Sequence, residues 1–172
     1  KRGSGEISGA AIEEFSYEAY GSNGLALIIE GLTDNKNRTL SEIKNILTNY
    51  NGKLAQTGSV SYLFKKRGVI AIDSQKTNSQ RADLEMLAIE AGAEDLKWQN
   101  EILEIYTAVE NLEAVKKTCQ DKNIVIESSS IDWVPQTELV VDSPKEQEQI
   151  NRLFEALDSQ DDVNEIYSNL KD

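Results

Sequence analysis

Phe15, Tyr17 and Ala19 fall on alternate positions of "FSYEAYGSNG", a period of two that predicts a short strand, and the glycines at 21 and 24 supply the turn that closes it. The apolar run that follows makes residues 25–30 a buried strand. The period then changes. Leu40, Ile43, Ile46, Leu47 and Tyr50 recur at helical spacing, Thr39 with Glu42 fits a capping box, and Asn51-Gly52 offers a left-handed stop. "SVSYLFKKRGVIAID" predicts a hairpin whose strands, 60–64 and 69–73, are joined by Lys65, Lys66, Arg67 and Gly68.

Beyond the polar stretch "SQKTNSQ", "RADLEMLAIEAG" reads as an amphipathic helix and "EDLKWQNEILEIYTA" as two strands turning at Gln99-Asn100. "VENLEAVKKTCQDK" reads as a helix and "IVIESSSIDWV" as a strand. After Pro135, "TELVVD" reads as a strand, Ser143-Pro144 starts a helix carried by Ile150, Leu153, Phe154 and Leu157, and "VNEIYSNL" is a last strand. Strand, helix and strand alone cannot enclose a core, so residues 136–172 are expected to complete the sheet begun before residue 74. The expected fold class is α+β, with a linker at 1–14, one domain at 15–75 plus 136–172, and a second at 76–135 inserted into the first.

Composition narrows the chemistry. With 172 residues and 39% hydrophobic content the chain can fill an ordinary core. No run approaches the roughly 18 apolar residues of a membrane helix, and "KRGSGEISGA" lacks the apolar centre of a signal peptide. The first residue is Lys1, and the sequence reads as a fragment without its natural N-terminus. Cys119, the single cysteine, shares the apolar side of a helix with Leu112 and Val115, so no internal disulfide is possible and a reducing, cytoplasmic setting is expected. There is no histidine, which removes Ser-His and Cys-His dyads, the usual zinc sets and the commonest general base. No catalytic residue, metal ligand or cofactor is therefore expected. "RGSGEISG" lacks the strand-before, helix-after context of a phosphate loop. Glu94-Asp95 and Asp161-Asp162 read as solvated surface, because adjacent carboxylates on a strand point to opposite faces.

The net charge of −12 is unevenly spread along the sequence. Residues 1–79 carry ten Lys/Arg against eight Asp/Glu; residues 80–172 carry eight against twenty-two. A phosphate-bearing partner is thus expected to meet the first half. In "DNKNRT", Asp34, Asn35 and Asn37 suit a turn, while Lys36 and Arg38 at a helix N-terminus add donors that suit a phosphate; the two readings are compatible. Lys65, Lys66 and Arg67 are either a solvated hairpin tip or a basic finger reaching a nucleic-acid backbone, and Lys53 extends that patch if its loop folds toward it. Tyr17, Tyr20, Tyr62 and Phe64 read as core packing rather than base stacking, and Trp98 and Trp133 carry no site assignment.

"YEAYGSNGLALIIEGLTDNKNRT", the Gly52 loop, "GSVSYLFKKRGVI" and "AIEAGAEDL" together resemble the YebC family, which includes the mitochondrial translational activator of cytochrome c oxidase subunit I. The resemblance runs from Arg2-Gly3 to "DDVNEIYSNL". It implies two small α+β domains of ferredoxin-like type, the family's third inserted in its second, with the family's basic N-terminal three-helix domain absent. It also implies a non-enzymatic gene-expression regulator. Binding to RNA or the ribosome, promoting translation through stalling sequences, is the first expectation; a DNA-binding transcriptional regulator is the alternative. The expected partners are the ribosome and RNA or duplex DNA, mainly through the N-terminal domain. A third reading is a protein-interaction module whose acidic inserted domain meets a basic protein.

Overall fold

The alternating N-terminal pattern folds as β1 (Glu13–Tyr20), which passes through a short turn at Ser22–Gly24 into β2 (Ala26–Thr33). The computed structural model describes residues 11–171. Helix α1 (Lys36–Asn49) follows, then the short strand β3 (Lys53–Ala55). The C-terminal part returns with α4 (Pro144–Asp158) and β8 (Val163–Ser168), and the sheet order is β3-β1-β2-β8. Pairing sets Tyr17 opposite Ile29 and Ala19 opposite Leu27, so one face of the sheet collects Phe15, Ala19, Leu27 and Ile29. Ile43 and Leu47 of α1 and Ile150, Leu153 and Leu157 of α4 close over that face. Each such fully buried aliphatic side chain contributes about 2 kcal/mol. Ala26 and Ile28 are buried on the opposite face, which explains the unbroken apolar run.

The second sheet contains β4 (Phe64–Asp73), β5 (Asp95–Gln99), β6 (Ile102–Thr107) and β7 (Ser128–Pro135), in the order β5-β6-β4-β7. Helix α2 (Arg81–Ala91) lies between β4 and β5 in the chain, and α3 (Leu112–Asp121) between β6 and β7. This is the β-α-β-β-α-β succession of a ferredoxin-like unit. Ile70 pairs with Ile105 and Ile72 with Leu103, and this face packs with Leu84, Ala88, Val115 and the buried Cys119. The first sheet instead begins with its hairpin. The α+β class holds for both.

The chain divides into two compact units, residues 11–65 with 134–171 and residues 66–133. The division falls within β4 and β7, so the stretch at 74–80 lies inside the second unit. Acidity is shared: the first unit carries eight Lys/Arg and fifteen Asp/Glu, the second eight and thirteen. The contrast between sequence halves therefore does not make the inserted unit the acidic one. Among the described residues no helix is long and apolar enough to cross a membrane.

Four local expectations are corrected. Residues 60–73 are no hairpin: Ser61–Leu63 is a short 3-10 turn and β4 runs unbroken through Lys65, Lys66, Arg67 and Gly68. Gly68 serves close packing rather than a turn, since a Cβ there would lie 2.4 Å from Thr107 Oγ1 and 2.9 Å from Leu112 Cβ. The cap of α1 is Asn35, whose side chain accepts from the Arg38 amide, and Thr39 sits one turn into the helix. Asn51, not Gly52, takes the left-handed conformation after α1, with φ of 63°. "TELVVD" forms no strand and makes only a single parallel bridge between Leu139 and Leu170.

Candidate nucleic-acid interface

At the start of α1 the polar residues turn inward. Asp162, just before β8, is buried, and its Oδ2 accepts from Thr39 Oγ1 at 2.7 Å, Arg38 Nη2 at 2.7 Å and Gln160 Nε2 at 3.2 Å. Thr33 Oγ1 lies 2.7 Å from Thr39 Oγ1 and accepts from the Asn35 amide. Arg38 also pairs with Asp34 at 3.2 Å and lies 3.9 Å from Glu42. The backbone joins in, because the Leu32 amide donates to the Asp162 carbonyl at 3.0 Å. Gly31 admits that approach: a Cβ there would lie 1.9 Å from the same carbonyl oxygen. Burial raises the Asp162 pKa, but the Thr39, Arg38 and Gln160 donors outweigh it and hold the carboxyl below its ordinary range. The hydrogen bond from Arg38 to Asp162 is the main reason the guanidinium is held above its own ordinary value.

A second internal carboxylate shapes the path to β4. Glu18 is buried on the sheet face away from α1 and α4, and accepts from the backbone N–H groups of Gly58, Val60 and Ser61, each at 2.7 Å. Burial would raise its pKa, yet the three N–H donors bring it below the ordinary glutamate value. The Tyr20 hydroxyl donates to the Ser59 carbonyl at 3.0 Å. These bonds fold residues 56–61 over the sheet and bend the chain where a strand was expected.

β4 emerges from this loop. Its pairing with β6 begins only at Gly68, so Lys65, Lys66 and Arg67 extend past the end of β6. Lys66 Nζ lies 5.2 Å from the centre of the Trp133 ring, and the Arg67 guanidinium 5.9 Å from that of Tyr106. Both distances are within cation–π range. Successive strand residues point to opposite faces, so the two pairs present a cation and an aromatic ring on either side of the same strand. Lys66 is exposed and Arg67 half-buried. The Tyr106 hydroxyl donates to Glu104 at 2.8 Å, which fixes the ring.

Not all the sequence-selected residues are brought together. Lys36 and Arg38 share the N-terminus of α1, but Lys36 lies 3.9 Å from Glu13 and Arg38 is ringed by carboxylates. Lys53 pairs with Tyr20, the end of β1 opposite Glu13, about 20 Å along the strand. Lys65, Lys66 and Arg67 are consecutive in β4. Sequence reasoning missed Glu18 and Asp162 as internal ligands and Tyr106 and Trp133 as cation partners. The strand alternation behind the surface reading of Asp161-Asp162 does imply that one of the two faces inward; for Glu18 no sequence signal stands out. Tyr20 and Tyr62, read as core, are 40% and 69% exposed. Among the described residues no group of three or more Cys, Asp or Glu is placed to hold a metal ion.

Residues 12–170 match the family description "TACO1/YebC second and third domain". A protein of Elusimicrobium minutum named "probable transcriptional regulatory protein" is 40% identical over 168 residues, covering 98% of this chain and 66% of the relative. One of the same name from Thermotoga maritima is 40% identical over 171 residues, covering 99% and 66%. The crystal structure of a conserved hypothetical protein from Aquifex aeolicus superposes with a TM-score of 0.86 at 34% identity, over 99% of this chain and 70% of that one. The chain thus spans about two thirds of the length of these relatives.

Proposed function

Because the chain belongs to the TACO1/YebC family, of which it carries the second and third domains, we propose that it is a non-enzymatic gene-expression regulator that contacts RNA on the ribosome and promotes translation through stalling sequences. The supporting observation is the β4 overhang, where Lys66 and Arg67 each stand beside an aromatic ring. A cation beside a ring suits an unpaired nucleotide: the phosphate meets the charge and the base stacks on the ring. Paired bases inside a duplex do not offer that face. Lys65, Lys66 and Arg67 are the proposed contacts, Lys36 and Lys53 lie outside this set, and Arg38 acts on Asp162. With a net charge of −12 the contact is local, and the third of the relatives' length beyond this match is proposed to carry the main anchor. The cytoplasm is the proposed setting for this action.

A second reading, regulation of transcription through duplex DNA, is favoured by the names of the relatives. Binding of the chain to single-stranded RNA and to duplex DNA of equal length, measured by fluorescence anisotropy over a salt series, separates the two. The RNA reading expects tighter RNA binding, a salt slope reduced by roughly 1 to 2 on reversing Lys66 and Arg67, and about tenfold weaker RNA binding in Trp133→Ala. Duplex preference with no effect of Trp133→Ala would replace it with the DNA reading.

A further inference from the structure

The order β3-β1-β2-β8 leaves two edges on the first sheet, and they differ. β3 is three residues long and carries Lys53, both ordinary ways of blunting an edge. β8 is six residues long, with sequence VNEIYS, and contains neither Lys nor Pro. Among the described residues, the backbone pairing beside its outer end is the Leu139–Leu170 bridge, which lies past the strand. The register with β2 shifts between Glu30 and Gly31, leaving Asn164 as an extra residue, and beyond it, from Glu165 to Ser168, the regular edge presents backbone N–H and C=O groups outward at alternate positions, a template for one more strand.

A cleft of about 400 Å³ runs beside this edge between β8 and α4. Phe154 of α4 and Ile166 of β8, both half-buried, supply its apolar floor; Glu155, Asp158 and Glu165, all exposed, supply its rim. None of the described lining residues is Lys or Arg. The three carboxylates repel a phosphate backbone and attract a cationic chain. We infer that the β8 edge and the β8–α4 cleft bind an extended basic peptide segment of a protein partner, which adds as a fifth strand beside β8. Its apolar side chains meet Phe154 and Ile166, and its Lys or Arg side chains reach Glu155, Asp158 and Glu165. The main-chain bonds supply affinity and the acidic rim selects charge. This site is separate from the β4 overhang and stands whether the nucleic-acid partner is RNA or DNA.

The test uses the full chain, a fluorescent peptide of alternating lysine and valine, and a glutamate–valine peptide of the same length. Anisotropy measures affinity, and amide hydrogen exchange locates the contact. The inference expects the lysine peptide to bind, the glutamate peptide not to, and the amides of β8 that face away from β2 to gain protection. The double variant Glu155→Lys/Asp158→Lys should weaken binding about tenfold with an unchanged melting temperature, since both side chains are exposed. Absence of binding, protection at β3 instead, equal binding of both peptides, or an unaffected double variant would each overturn it. So would protection of β8 that rises with protein concentration without peptide, which would give the edge to a second copy.

Discussion

Replacing Asp162 by alanine removes the side-chain acceptor that ties α1 to the turn before β8, while the backbone carbonyl that holds the Leu32 amide of β2 stays, and the cost can be worked from the contacts. The Thr39 hydroxyl is buried and donates to the carboxylate at 2.7 Å. Losing a charged acceptor at a buried donor costs about 2 kcal/mol, with the Asn35 carbonyl at 3.2 Å as a fallback partner. Arg38 is 39% exposed, so its loss of the 2.7 Å pair adds only about 1 kcal/mol. The expected total is about 3 kcal/mol for Asp162→Ala, against about 1 kcal/mol for Arg38→Ala. The double variant should cost little more than Asp162→Ala alone, because both changes break the same pair. Trp98 and Trp133 both lie in the unit of residues 66–133, so tryptophan fluorescence reports that unit. Exchange of the buried amides of Leu27 and Ile29 in urea reads the other. The Asp162 pKa is lowered by folding, so its contribution is present above the unfolded value of about 3.9 and lost as pH falls through the folded value. The Asp162→Ala deficit should therefore shrink below about pH 4. A cost under about 1 kcal/mol, or additive effects of the two single changes, would refute the assignment of Arg38 and Asp162 to one structural lock.

Glu18→Gln should cost about 1–2 kcal/mol, because an amide offers one acceptor oxygen and turns an N–H toward a backbone donor it cannot satisfy; faster exchange at Gly58, Val60 or Ser61 checks it. Gly68→Ala should destabilise the second unit by about 2–3 kcal/mol, since the new methyl meets Thr107 and Leu112, and tryptophan fluorescence in urea measures it. Burial pushes the Cys119 thiol up, so a thiol reagent at neutral pH should leave the folded protein unlabelled and label it fully in urea.

Periodicity carried much of the fold. The run at Leu25–Ile29 became a central strand, the helical spacings became four helices, and Ser143-Pro144 started α4 as cap and first turn, with the Ser143 side chain accepting from the Glu146 amide. The failures share a cause: long-range polar contacts overrode local signals. Thr39 has the local signature of a helix cap, yet Asp162, 123 positions away, holds its hydroxyl. Residues 60–63 have strand-like alternation, yet Glu18, 40 or more positions earlier, gathers their N–H groups into a turn. The basic cluster at 65–67 was legible as composition, but its two aromatic neighbours come from strands 39 and 67 positions further on. Halving the sequence by charge also misled, because residues 134–171 return to the first unit and bring their carboxylates with them.

Co-sedimentation with ribosomes, set beside duplex DNA binding over the same salt series, is the decisive comparison between the chain and its Lys65→Glu/Lys66→Glu/Arg67→Glu variant. Ribosome association should weaken with salt and drop on charge reversal, while the variant stays folded and loses no more stability than its two cation–ring contacts supply, about 1–2 kcal/mol. Association indifferent to the reversal, or binding confined to duplex DNA, would contradict it.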